Sequence, residues 1–351
     1  MFLAIKEMRY AKLRYGLIIG MMVLIAYVVF MLSGLARGLA EEFKKGVDDW
    51  QAQEIVLSEE ANKTLAASQL TMDDFEQVTA KQKAPIGIYS GAIKDQQQNV
   101  TVFGTTNDAF LLPKLIKGHP FKTKNEIIIP ENLAKETYQI GDTIKIGNYP
   151  EPLKIVGITA ENYYTVTPVI YTTLDTWTQL KFGDQPLTTQ PINAVVTKEK
   201  AQLPTANEMM VSLTIPDLIE NIPGYSAQNL TLDAMIYFLF VVATAVVGIF
   251  MYVITLQKTA IFGVMKAQGI RNRFIANSLV AQAFIVGMIG VGLAMVLAFG
   301  TSFILPEVMP FAIIWSQWLV YSGLFIIVAI IGGLFSIRTV AKVDPITAIG
   351  G

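Results

Sequence analysis

The sequence has no cysteine and a single histidine, His119, among its 351 residues. Without cysteine the chain cannot form disulfides, thiolate metal sites or a cysteine nucleophile, and one histidine rules out a metal site built from two histidines of one chain. Gly-Lys dipeptides are also absent, so the chain lacks the phosphate-binding loop of a nucleotide hydrolase. Energy for any work must therefore come from another molecule.

Charged residues are scarce, at 16% of the chain, while 52% of the residues are hydrophobic. Charge is missing entirely from residues 16–36, 234–257, 274–305 and 308–337. Each stretch is long enough to cross a hydrocarbon core, which takes about 20 helical residues. We therefore predict an α-helical membrane protein with four transmembrane helices, arranged as one plus three, and an extracytoplasmic α+β domain over residues 37–233.

The net charge is positive on one side of the predicted spans and negative on the other. The arm 1–15, the loop 258–273 and the tail 338–351 together carry a net charge of +8, whereas residues 36–233 carry −8. Because positive flanks resist translocation, both termini are predicted to be cytoplasmic in a multi-pass protein of the plasma membrane. A cleaved signal peptide is the competing interpretation of the first span, but its apolar core of 20 residues is long for one.

Residues 37–233 contain short β-rich runs separated by turn residues. Strands are expected near 100–103, 127–129, 143–146, 153–158 and 168–171, with a helix over 41–74 and a connector at 222–228. The N-terminal arm is amphipathic and is expected to lie along the membrane surface. Glycines four residues apart, at Gly16 and Gly20 and again at Gly34 and Gly38, would let helices approach closely in packing or dimerisation.

Two cytoplasmic segments carry a family resemblance. Residues 255–275 read TLQKTAIFGVMKAQGIRNRFI, and residues 340–349 read VAKVDPITAI. Together with the one-plus-three layout they resemble the permeases of the FtsX and MacB superfamily of ABC transporters. The pattern consists of Lys258, Gly263, Lys266, Ala267 and Gly269, followed by Asp344, Pro345, Ala348 and Ile349. Residues 126–146 and 153–180 resemble the β subdomain of that superfamily. The opening residues and total length are similar to its branch of haem-exporter (HrtB) and glycolipid-exporter (DevC) permeases.

The resemblance implies a non-catalytic subunit whose ATPase is a separate chain, and a homodimer in the lipid membrane with no nucleic-acid partner. The ATPase would grip the loop 258–273, whose apolar and basic residues alternate as in a helix that docks into a groove. The expected coupling residues are Lys258, Phe262, Gly263, Met265, Lys266 and Gly269. The alternative is a positively charged loop that serves topology only.

The resemblance also suggests haem as cargo, with no resident cofactor. Without cysteine, and with no histidine in the spans, methionine and tyrosine are the donors left for iron. Met31 and Tyr237 lie about 5 to 6 Å below the same predicted interface. Met235, Phe30 and Tyr27 would line the pocket, and Asp233 would stand at its mouth. Methionine and aromatic residues at such positions are also typical of helix packing and interface anchoring.

Two other functions remain open. One is a glycolipid or lipophile exporter, and the other is a transmembrane transducer like FtsX that activates a cell-wall hydrolase. An enzyme is disfavoured, because no Ser-His-Asp arrangement, metal cluster or paired-carboxylate motif stands out in residues 36–233.

Overall fold

The structure is a computed structural model that describes residues 2–95, 97–204, 209–306 and 309–341. These residues form two compact units. The helical unit comprises the chain up to Gly38 and from Leu230 onward, and the β-rich unit comprises Leu39–Asn229. The tail motif of Asp344, Pro345, Ala348 and Ile349 lies outside the described residues.

The elements follow each other in an order that matches one span, a mixed domain and three spans. The helices are α1 (Phe2–Tyr10), α2 (Lys12–Asp48), α3 (Met72–Gln77), α4 (Glu131–Thr137), α5 (Leu174–Phe182), α6 (Ile215–Glu220), α7 (Tyr225–Gln257), α8 (Thr259–Ala267), α9 (Asn272–Ser302) and α10 (Trp315–Ala341). The strands are β1 (Glu54–Ser58), β2 (Leu70–Thr71), β3 (Lys83–Ile93), β4 (Gln98–Thr105), β5 (Leu115–Gly118), β6 (Glu126–Pro130), β7 (Thr143–Ile144), β8 (Leu153–Thr159), β9 (Tyr163–Tyr164), β10 (Thr167–Thr173), β11 (Pro191–Ile192), β12 (Ala194–Thr197) and β13 (Met210–Thr214).

Within the described residues, four helices are long and apolar enough to span a membrane: α2, α7, α9 and α10. They pack around a core to which aromatic rings contribute, with Phe30 5.1 Å from Trp318 and Phe240 4.6 Å from Phe325 between ring centroids. The β-rich unit of Leu39–Asn229 is the second compact unit. The predicted fold class, four membrane-spanning helices plus an α+β domain, is therefore confirmed.

The β-rich unit is built on a mixed sheet. Among the described residues it contains 11 strands, in the order β13-β1-β12-β3-β4-β10-β6-β8-β5, with β7 paired to β8 and β9 to β10. The pairs β4–β10 and β6–β8 are parallel, and the other pairings in this sheet are antiparallel. Four of the five predicted strand regions fall on strands of this sheet, and the fifth, 143–146, does so only at Thr143 and Ile144.

Two paired glycines form a seat for a buried tryptophan. Gly87 on β3 and Gly104 on β4 are register partners, and Trp177 on α5 lies over both. A Cβ at either glycine would come within 2.3 Å of a Trp177 side-chain atom. Because glycine has no Cβ, the indole ring can lie directly on the sheet backbone.

The helix predicted over 41–74 is wrong between Asp48, where α2 ends, and Met72, where α3 begins. Glu54–Ser58 instead forms β1, which pairs with β12 on one side and β13 on the other. These partners lie more than a hundred residues away in the sequence, so local composition carries no signal for them. The connector predicted at 222–228 is also shorter than expected, since Gly224 adopts a φ of 89° and α7 starts at Tyr225.

Candidate functional site

The residues of α2 that were predicted to bind cargo pack in the core of the helical unit. Phe30 is fully buried against Trp318, and the Tyr27 hydroxyl lies 3.1 Å from Thr301 Oγ1 on α9. Met31 is half-buried and packs against the same core. Packing within one chain thus accounts for Phe30 and Tyr27, and leaves part of Met31 accessible.

The residues of α7 that were predicted to bind cargo lie on its exposed face. Met235 and Tyr237 expose 52% and 65% of their surface, and Asp233 is exposed as well. Ile236 between them is buried in the core that also receives Met31. Of the six predicted residues, Phe30 is thus buried, Met31 and Tyr27 are half-buried, and Met235, Tyr237 and Asp233 are exposed on α7.

The segment 258–273 forms the short helix α8 followed by a turn at Gly269, whose φ is 84°. Phe262, predicted to contact an ATPase, points into the protein: it is 3% exposed and packs with Ile275 and Leu279 of α9 and with half-buried Met265. Gly263 is buried too, and Lys266 is half-buried. The large apolar side chains that α8 leaves exposed are Ile261 and Val264.

Lys258 is buried at the junction of α7 and α8. Its Nζ donates to Glu7 Oε2 on α1 and to the Tyr15 hydroxyl on α2, each at 3.1 Å. Tyr15 in turn donates to Gln282 Oε1 on α9 at 2.5 Å, and Gln282 Nε2 donates to Glu7 Oε2. Sequence reasoning assigned only Lys258 a role here. The lone acid in a basic arm and a glutamine inside an apolar span were the signals for the other members.

The second glycine pair of α2 contacts a non-helical segment that precedes α10. Ala312 donates its backbone N–H to the carbonyl of Gly34 at 3.0 Å. A Cβ on Gly34 would come within 2.3 Å of the Phe311 ring, and one on Gly38 within 2.4 Å of the Pro310 backbone. No atom lies within 4 Å of a Cβ built at Gly16 or Gly20. Gly34 and Gly38 therefore serve packing within one chain, as the spacing allowed.

Three ionisable residues of the β-rich unit, Glu126, Lys181 and His119, make contacts within that unit. Glu126 accepts hydrogen bonds from the backbone N–H of Lys122 and of Thr123, which lowers its pKa. Burial lowers the pKa of Lys181, whose Nζ lies 5.1 Å from the Trp177 ring centroid. The exposed His119 contacts the Pro120 carbonyl. Among the described residues, no three His, Cys, Asp or Glu side chains form a metal cluster.

Comparison with known proteins gives two family matches that together span most of the chain. Residues 15–213 match the MacB-like periplasmic core domain, and residues 234–345 match the FtsX-like permease C-terminal domain. Two proteins named hemin transport system permease protein HrtB, from Staphylococcus haemolyticus and Staphylococcus epidermidis, are 32% and 30% identical to this chain. Each alignment covers 100% of this chain and 99% of the relative.

More distant similarities extend to an ABC transporter permease of Mycobacterium tuberculosis, 24% identical over 100% of this chain and 99% of the relative. The solved extracellular domain of the noncanonic ABC-type transporter YknZ from Gram-positive bacteria is 18% identical, with a TM-score of 0.31. That alignment covers 42% of this chain and 84% of the solved domain.

Proposed function

Because the chain belongs to the family of MacB- and FtsX-type ABC transporter permeases, we propose that it is the membrane subunit of an exporter that expels haem, or a similar amphiphile, from the membrane. ATP is hydrolysed by a separate ATPase subunit, and two copies of this chain form the transport unit in the plasma membrane with both termini in the cytoplasm. The full-length similarity to proteins named for hemin transport is the observation that carries the cargo assignment.

The exposed face of α7 supports a site completed by a second copy. Met235, Tyr237 and the neighbouring Phe238 present thioether, phenol and aromatic surface that the single chain leaves uncovered. Thioether and phenolate are haem-iron ligands, and flat apolar surface suits the macrocycle. Cargo would bind between copies, with Met31 or Tyr237 on the iron, Phe30 and Tyr27 holding α2 in place, and Asp233 nearby.

Haem titration of the purified chain in lipid nanodiscs tests this site. We expect saturable haem absorbance, and a changed spectrum or at least about tenfold weaker binding in Met31→Ala and Tyr237→Phe, because each removes a donor atom from the iron. Met288→Ala and Tyr252→Phe are matched controls, since both residues are exposed on spans but outside the site. Absence of saturable absorbance, or parental behaviour of both site variants, would refute the haem site.

Two alternatives predict different results in haem binding, ATP hydrolysis and gene deletion. A glycolipid exporter would bind ATPase and lipid but not haem, and its ATP hydrolysis would respond to lipid. A transducer like FtsX would hydrolyse ATP without moving either cargo, and deleting the gene would impair cell-wall hydrolysis. The large β-rich unit of Leu39–Asn229 favours export over this second role.

A further inference from the structure

Four polar side chains form a closed ring at one end of the helical unit. Lys258 Nζ donates to Glu7 and to Tyr15, Tyr15 donates to Gln282, and Gln282 donates back to Glu7. Gln282 Nε2 also lies 3.3 Å from Ser278 Oγ, one turn earlier on α9. Every member of the ring thus contacts two others, so the amide of Gln282 and the hydroxyl of Tyr15 each have a fixed orientation.

Three members of the ring are buried among apolar helices, where an unpaired charge is costly, and Glu7 is half-buried. Gln282 is 1% exposed, and Tyr15 and Lys258 are also buried. Residues 1–40 and 234–306 contain one acidic residue, which is Glu7. Lys258 therefore has a single carboxylate partner within these segments, and removing it would leave a buried ammonium without a counter-charge.

The ring joins side chains from four parts of the helical unit. Glu7 comes from α1, Tyr15 from α2, Gln282 from α9, and Lys258 from the break between α7 and α8. Lys258 has a ψ of 7° and is the N-cap residue of α8, so it moves with that helix. On its other side α8 is held to α9 by the packing of Phe262 on Ile275 and Leu279.

We propose that this ring is the link that transmits motion of α8 to α1, α2 and α9. The inference rests on the proposed function, in which an ATPase moves α8 through its exposed residues. A closed ring of hydrogen bonds, three of them to the ammonium of Lys258 or the carboxylate of Glu7, resists shear in an apolar environment, because displacing one member breaks bonds on two sides. Glu7, Tyr15 and Gln282 are positioning residues, and Lys258 belongs to this internal link rather than to the surface that the ATPase contacts.

Glu7→Gln is the central test, because it removes the charge and keeps the size of the side chain. In the complete complex with its ATPase, we expect the variant to bind the ATPase like the parent and to hydrolyse ATP, but to export at least fivefold less haem per ATP. The charge exchange Glu7→Lys with Lys258→Glu restores the pair in reverse and should recover at least half of the lost export.

A second readout does not depend on the cargo. Trapping the ATPase with vanadate should change the hydrogen exchange of backbone amides in both α8 and α1 of the parent, and in α8 alone of Glu7→Gln. Tyr15→Phe keeps both charges and opens the ring at one point. It should therefore weaken the change in hydrogen exchange of α1, but less than Glu7→Gln does. This variant decides the matter if Glu7→Gln does not fold.

The outcomes separate the link from the proposed function. Parental coupling of both variants, a loss of ATPase binding in them, or failure of the charge exchange to rescue would overturn the link alone. A parent complex that hydrolyses ATP without exporting haem would refute the proposed cargo, while the hydrogen-exchange comparison would still decide the link. A parent chain that binds no ATPase would refute both.

Discussion

Lys181 shows how far one residue's environment departs from what its sequence position indicates. The lysine sits among neutral residues at the end of α5, yet its ammonium is half-buried beside Trp177 and Phe182 and donates to Asn193 Oδ1 at 3.2 Å. Burial lowers its pKa from the usual value of 10.5. Cation–π contacts and one hydrogen bond only partly replace its hydration.

Because the folded state holds this proton less tightly than the unfolded state, the free energy of unfolding should rise with pH between the lowered pKa and 10.5. Lys181→Met should unfold at the same or a higher temperature than the parent at pH 7, and should flatten this pH dependence. Thermal unfolding of the intact protein between about pH 7 and 10 measures both effects. Lys198→Met is the matched control, since Lys198 is exposed over the Phe110 ring. A lower unfolding temperature in Lys181→Met at pH 7 would contradict the assignment.

At the scale of elements, α8 divides into a face that packs and a face that is free. Phe262 and Met265 pack against α9, while Ile261 and Val264 stay exposed. A helix that docks into a groove uses its exposed apolar residues. Ile261 and Val264 are therefore the large apolar residues of α8 that a partner could contact, whereas Phe262 is buried against α9.

The double variant Ile261→Asp with Val264→Asp should abolish co-purification of the ATPase and leave the stability of the chain within about 0.5 kcal/mol of the parent, because both positions are exposed. Phe262→Ala should instead lower the free energy of unfolding by about 3 kcal/mol, since it leaves a cavity against Ile275 and Leu279. Thermal unfolding combined with ATPase pull-down distinguishes the two effects. Normal recruitment by the double variant would remove α8 from the coupling role.

The two glycine pairs of α2 give a matched comparison within one helix. Gly38→Ala would place a Cβ 2.4 Å from the Pro310 backbone, which cannot rotate away, whereas Gly20→Ala meets no atom within 4 Å. We expect Gly38→Ala to cost about 2 kcal/mol and Gly20→Ala to change stability by less than about 1 kcal/mol. Unfolding by heat or denaturant in detergent measures both, and equal behaviour of the two would show that the Pro310 contact carries no weight.

The sequence alone predicted those elements that have few stable alternative structures. Long charge-free runs such as 274–305 have few stable forms besides a buried or membrane helix, so the four spans could be found. The strand Glu54–Ser58 was missed because its partners, β12 and β13, are distant in the chain. Which face of α8 packs was also beyond prediction, since Ile261, Phe262, Val264 and Met265 are all apolar and only the contact with α9 distinguishes them.

On the scale of the whole molecule, charge and fold are divided in the same way. The β-rich unit of Leu39–Asn229 falls within the net-negative stretch of the sequence, and the basic residues flanking the spans belong to the helical unit. Positive flanks remain on the cytoplasmic side during insertion. This division of charge predicts that the β-rich unit lies outside the cytoplasm, which can be tested on intact cells.

Because the chain has no cysteine, single cysteines report their own location without background. Cysteines at Lys94 and Lys117, both exposed in the β-rich unit, should react with a membrane-impermeant maleimide in intact cells. A cysteine at exposed Arg271 should react only after the membrane is permeabilised. Labelling in the opposite pattern would invert the topology.

Trp177 packs directly on Gly87 and Gly104, so the sizes of the side chains at these three positions depend on one another. Any side chain on either glycine would compete with the indole for space that the sheet backbone defines. A homologue that carries a larger residue at one of these strand positions must then carry a smaller one on the helix. Substitutions at these sites should appear together across the family, and Gly104→Ala should be tolerated only with Trp177 replaced by a smaller residue such as leucine.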